Sequence, residues 1–171
     1  MFSSSKKIQA SVFSVAGNAL TPVGKVALGD DKSGPSHVTF SPDGKTALVT
    51  RDGDHKISVL SIDGTKVEYS KRDLSAGLRP YGLDIHPNGK VAVVANIGIG
   101  GGDADTASLI DIEAKPPRVI HTVTVGQTPE GIALSPDGAF AAVSVMNGSN
   151  KAKNSPFFSD YGLVKVLSVK G

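Results

Sequence analysis

Few side chains in this sequence could do chemistry, and they are widely scattered. Glu130 is placed to give or take a proton, His37 to share that work, and Arg79 to hold a negative charge. These three form the one set that could run a hydrolysis, provided that three stretches of chain converge on a water or a metal. Asp103 and Asp105 are spaced as alternate oxygen ligands of a calcium loop, without the remainder of such a loop. The run Gly98-Ile99-Gly100-Gly101-Gly102 has the freedom of a phosphate cradle but lacks the lysine and the strand-to-helix setting of a P-loop. Phe157, Phe158 and Tyr161 stand in a long polar stretch. Aromatics there either fold back over the body of the protein or offer a surface to a partner. Cysteine is absent, which excludes thiolate catalysis, disulfides and cysteine-ligated zinc. No metal ligand set and no cofactor is expected.

Three copies of one phrase must position these residues. Gly34-Pro35-Ser36-His37-Val38-Thr39-Phe40-Ser41-Pro42-Asp43-Gly44 returns as Arg79-Pro80-Tyr81-Gly82-Leu83-Asp84-Ile85-His86-Pro87-Asn88-Gly89. It returns again as Thr128-Pro129-Glu130-Gly131-Ile132-Ala133-Leu134-Ser135-Pro136-Asp137-Gly138. Pro42, Pro87 and Pro136 are 45 and then 49 residues apart, a period that with strand-type patterning indicates the blades of a β-propeller. Asp43, Asn88 and Asp137 recur as turn-formers, and His86 takes the structural place of Ser41 and Ser135. The segments Thr46-Ala47-Leu48-Val49-Thr50, Val91-Ala92-Val93-Val94-Ala95 and Phe140-Ala141-Ala142-Val143-Ser144 are apolar on consecutive residues, as strands buried on both faces are. No sustained 3.6-residue period exists, so essentially no helix is expected.

The expected fold is all-β: an arc of about three four-stranded antiparallel blades plus an orphan N-terminal outer strand. The strand ahead of each proline phrase, as at Val26-Ala27-Leu28, is read as the first of its blade. Residues 1–17 then hold the outer strand of a preceding blade, and the blades span 18–64, 65–113 and 114–171. Val49, Val94 and Val143 share one buried position, and Phe40, Ile85 and Leu134 another. The arc leaves an apolar flank open at each end, so self-association is expected unless the chain is a piece of a larger ring.

The Pro-x-Gly phrase, Ser-Pro-Asp-Gly, the apolar strand that follows and the Val-Ile-Asp-like last strand together resemble the YVTN-type propeller repeats of bacteria and archaea. The resemblance covers residues 34–169; the signature tetrad is altered to Leu48-Val49-Thr50-Arg51, Val93-Val94-Ala95-Asn96 and Ala142-Val143-Ser144-Val145. It implies an exported, periplasmic or extracellular protein serving as a binding scaffold. Related propellers include 6-phosphogluconolactonase-like enzymes, one repeat of which resembles His37 followed by Asp52 and Asp54. That resemblance implies the rival function, a hydrolase with its site at the channel mouth.

Propeller geometry sorts the loops. The Ser-Pro-Asp-Gly turns lie on one face; the proline phrases lie on the other, with three connections that lengthen along the chain. Between Arg51 and Ile57 lie 5 residues, between Asn96 and Ala107 lie 10, and between Val145 and Val164 lie 18. Growth on one side only marks a functional face. Its candidate binding residues are Arg51, Asp52, His55, Tyr81, Asn96, Asp103, Asp105, Asn147, Phe157, Phe158 and Tyr161, for a protein or small-molecule ligand. A net charge of +2, with basic residues dispersed, gives no case for nucleic acid. No apolar run is long enough to span a membrane. Residues 1–7 lack the apolar core of a secretory signal, so export would require a signal already removed.

Overall fold

Each Ser-Pro-Asp-Gly turn is closed by its own residues. Ser41 Oγ donates to Asp43 Oδ1 at 2.6 Å and accepts from the Thr46 N–H at 2.9 Å, while the Lys45 N–H donates to Asp43 at 3.0 Å. Ser135 and Asp137 repeat this geometry, and His86 Nδ1 takes the serine's place by accepting from the Asn88 N–H at 3.1 Å. The serine hydroxyls, and after them the backbone N–H groups, hold the Asp43 and Asp137 carboxyls below the usual aspartate range. The recurring acids are turn-formers, as read from the sequence.

These turns join thirteen strands in a computed structural model that describes residues 8–169; the N-terminal stretch read for a signal lies outside them. The strands are β1 (Ile8–Ala16), β2 (Ala19–Gly29), β3 (Pro35–Phe40), β4 (Thr46–Arg51), β5 (Lys56–Asp63), β6 (Lys66–Leu74) and β7 (Pro80–Ile85). They continue as β8 (Val91–Asn96), β9 (Asp105–Asp111), β10 (Arg118–Gly126), β11 (Pro129–Leu134), β12 (Phe140–Val145) and β13 (Leu163–Ser168). The described residues form no helix, and all pairing is antiparallel. The sheets are β1-β2, β3-β4-β5-β6, β7-β8-β9-β10 and β11-β12-β13. The protein is thus all-β, built as two complete blades flanked by two partial ones.

The ladders move the blade boundaries by one strand. The strand ahead of each proline phrase closes the preceding blade instead of opening the next: Val26 pairs with Ala10, and Leu74 with Ile57. The complete blades therefore run through residues 35–74 and 80–126. The N-terminal strand is no orphan, because β1 and β2 form the outer half of a blade. Both readings fit the same apolar pattern. The choice falls to the short hairpins at Asp63–Lys66 and Ala16–Ala19, which pair adjacent strands at once. The proline-phrase strands are innermost, with β7 packed between β3 and β11.

Alternate residues of the second strand in a blade feed opposite interfaces. Ala47 and Val49 join Val26, Leu28 and Leu60 in one core; Leu48 joins Ile57, Leu74, Leu83, Ile85 and Val94 in the next. A third core packs Val143 and Val145 on Ala107 and Val125. Val49, Val94 and Val143 are all buried, as their shared register requires.

Phe40 departs from expectation. Its repeat-mate Ile85 is buried against the blade before it, but Phe40 is 62% exposed. Among the described residues, the blade before it consists of β1 and β2. A cleft of about 670 Å³, walled by Val12, Leu28, His37, Val38 and Phe40, lies between this pair and the first complete blade, beside the inner strand β3. Val38 and Phe13 on this flank, and Phe140, Val164 and Val166 on the opposite one, are likewise exposed. Truncating Ile85 to alanine is expected to cost about 2–5 kcal/mol, while Phe40→Ala costs under about 1 kcal/mol in the isolated chain. Urea unfolding of the two variants checks this; equal losses would show the cleft to be closed in solution.

Candidate functional site

On the face opposite the Ser-Pro-Asp-Gly turns, the residue before each proline adopts the left-handed region: φ is 56° at Gly34, 55° at Arg79 and 54° at Thr128. This conformation turns two carbonyls toward the connection leaving the adjacent strand. Asp52 N–H donates to Gly34 O, Ile97 N–H to Arg79 O and Met146 N–H to Thr128 O, at 2.9 to 3.0 Å. Gly53, Gly98 and Asn147 each donate to the carbonyl one residue earlier. The proline phrase is therefore the clamp that anchors the three growing loops, at residues 52–55, 97–104 and 146–162.

The loops are also tied to the following blade. Asp52 accepts from Ser36 Oγ at 2.8 Å and forms an ion pair with Arg79 at 2.8 Å, and His55 Nδ1 accepts from the Arg79 N–H at 3.1 Å. One blade further on, Asp105 Oδ2 accepts from the Thr128 N–H at 2.9 Å. Lys151 Nζ reaches back to the Gly100 carbonyl at 2.9 Å. The Phe157 ring lies so close over Gly102 that any side chain there would collide with it. Phe157 thus folds back onto the neighbouring loop, and Phe158 is half-buried beside it in the chain. Tyr161 projects, 78% exposed. Asn147 holds a left-handed turn at φ 51°.

The remaining candidates separate into those on the surface and those within. Arg51 is 4% exposed. Its guanidinium donates to the Leu28 carbonyl, to Asp54 and to Ser58 Oγ, with Asp73 3.7 Å away. Burial alone would lower its pKa; the hydrogen bond and charge of Asp54, with Asp73 behind, instead raise it above the ordinary value. Burial, then the Asp73 carboxylate that its hydroxyl meets at 2.6 Å, pushes the Tyr69 phenol up. Asn96, the repeat-mate of Arg51, is 2% exposed. Tyr81 lies half-buried on β7, its carbonyl accepting from Thr50 Oγ1 of the preceding blade at 2.6 Å.

The set Glu130, Arg79 and His37 stays spread over three blades. His37 faces the N-terminal flank cleft, the carboxylate partner of Arg79 is Asp52, and Glu130 stands half-buried on β11 with β7 between it and β3. Sequence reading passed over a different carboxylate. Asp84, on the innermost strand of the second blade, accepts from Thr39 Oγ1 at 3.4 Å on one side and from the Leu134 N–H at 2.8 Å on the other. It ties three blades together near the axis. Its signal was an acid at a position where the other repeats carry Thr39 and Ala133.

Sheets radiating from three adjacent inner strands, with their long loops gathered on one face, define a β-propeller segment. The chain belongs to the family described as lactonase, 7-bladed beta-propeller, whose profile it matches over residues 7–153. No curated protein sequence matches it significantly. Among solved structures it is similar to a protein from Lactobacillus plantarum at 18% identity and TM-score 0.71, covering 95% of this chain and 48% of that one. It is similar to hydrazine synthase of Kuenenia stuttgartiensis at 29% identity and TM-score 0.55, covering 68% of this chain and 30% of that one. With the periplasmic gluconolactonase of Pseudomonas aeruginosa it shares the fold, at 24% identity and TM-score 0.54, covering 73% of this chain and 34% of that one. The chain spans less than half the length of each. Among the described residues, no helix is long and apolar enough to cross a membrane.

Proposed function

We propose that the chain is the recognition part of an exported bacterial propeller, binding a protein or small molecule on the face formed by the three long loops. The observation that carries this reading is the interlock of residues 97–104 with residues 146–162 through Lys151 and Phe157, which presents Tyr161 and Ile99 to solvent on an anchored base. A loop serving only as a connection has no need of such anchoring. Export to the periplasm or cell surface follows the YVTN-like repeats, and the fold shared with a periplasmic protein agrees with it. The open flanks, lined by Phe40 and Val166, take further blades or a second copy.

Family membership favours a second reading, hydrolysis of a sugar lactone, for which His37, Arg79 and Glu130 remain the sequence's candidates although they stand on three different blades. Glucono-1,5-lactone and its 6-phosphate, followed by pH-stat with the full chain, separate the two. The recognition reading expects the spontaneous rate and no more. Turnover that falls about a hundredfold or more in Glu130→Gln or His37→Ala would replace it with the enzymatic reading.

A further inference from the structure

The loop at residues 97–104 and the start of β9 enclose a cavity of about 220 Å³ lined by Asn96, Asp103, Asp105 and Thr106, with Leu78 and Ile99 at its apolar side. No lysine or arginine lines it, and neither aspartate forms an ion pair among the described residues. Asp105 commits one oxygen to the Thr128 N–H; its other oxygen lies over Gly98, where φ is 60° and the missing Cβ leaves it room. Asp103 curls against Gly101, 2.7 Å from where a Cβ would stand.

The second observation is Asn96, 2% exposed at the cavity wall. Its Nδ2 donates to Thr106 Oγ1 at 3.1 Å and to Ser108 Oγ at 2.9 Å, and the Ser108 hydroxyl donates onward to the Ala76 carbonyl at 3.1 Å. That chain fixes the amide. Turned round, its NH₂ would lose both acceptors. In the fixed orientation Oδ1 has no donor among the described residues. A buried carbonyl oxygen without a positive partner is costly, and a bound water or ion is its ordinary explanation.

We propose that this cavity is a site for a hard divalent cation, calcium by preference, with the Asp103 and Asp105 carboxylates and Asn96 Oδ1 as protein ligands and the Thr106 hydroxyl and water completing the shell. All the donors are oxygens, which selects hard cations. Asp103 lies in a loop rich in glycine, and the other ligands flank that loop at the end of β8 and the start of β9; this suits the flexible shell of calcium better than the strict octahedron of magnesium. The cation would brace the loop that Lys151 and Phe157 lean on. The proposal does not depend on whether the propeller binds or hydrolyses.

The test is calorimetric and thermal titration of the chelator-treated chain with calcium chloride, against sodium chloride of equal ionic strength. Saturable binding near about 0.1–1 mM, the range of extracellular calcium modules, with a rise in Tm is expected. Asp103→Asn should weaken it about tenfold or more while leaving Tm in chelator unchanged, since this exposed side chain makes no other hydrogen bond. Asn96→Leu should abolish the calcium response and lower Tm in chelator only modestly, because the orphan oxygen it deletes offsets part of the loss of the hydrogen bonds to Thr106 and Ser108. Absence of binding at about ten times that concentration would overturn the site and leave water as the partner of Asn96. So would equal calcium affinity in wild type and Asp103→Asn.

Discussion

Arg51→Met is expected to destabilise the chain by about 3–5 kcal/mol, the usual loss when one partner of a buried charge cluster is removed. Methionine fills the volume but leaves the Leu28 carbonyl, Ser58 and the carboxylates of Asp54 and Asp73 without their common donor. Lys56, at 3.7 Å from Asp73, is too exposed to compensate. Arg51→Lys should recover only part of the loss, because an ammonium cannot address Asp54 and the Leu28 carbonyl in one plane. Urea unfolding near neutral pH decides it. A loss below about 1 kcal/mol would mean that water already reaches the cluster and that its energy is that of a surface pair. The cluster links β2, β4, β5 and β6, so it fastens the N-terminal half-blade to the first complete one.

Gly82→Ala should be comparably damaging, at or above about 3 kcal/mol, the upper end of overpacking costs. A Cβ at Gly82 would drive into the Glu130 carbonyl oxygen and stand 3.1 Å from the Ile132 nitrogen. Both are backbone atoms of the adjacent inner strand, and no rotamer relieves the clash. The equivalent change at Gly131 meets Ser144 Oγ at 2.6 Å, a side chain that can turn away, so its cost should be smaller. Gly24, with nothing within 4 Å, should accept alanine within about 0.5 kcal/mol. If Gly82→Ala and Gly24→Ala unfold alike, the inner strands of β7 and β11 do not approach as described.

Gly82 shows why the repeat was legible. The third residue of the Pro-x-Gly phrase must be glycine where two inner strands nearly touch, and local turn chemistry fixes Ser-Pro-Asp-Gly. Such demands are written at single positions. The three long connections were legible for the same reason, since loop length needs no tertiary knowledge. The setting of their individual residues was not. Arg51 and His55 read alike as loop-flanking polar groups, yet one is enclosed by three blade strands and the other caps the Arg79 N–H from the surface.

The amino-acid sequence by itself determined the all-β class, the period of the blades, the turn side and the buried valines at 49, 94 and 143, because each follows from short-range sterics or from alternation along one strand. Tertiary structure alone decided which strand belongs to which blade, the exposure of Phe40, the bridging role of Asp84 and the unpartnered oxygen of Asn96. An apolar strand pairs equally well with the neighbour before it or after it in its own pattern. A side chain's burial depends on whether another blade stands opposite, and at Phe40 only half of one does.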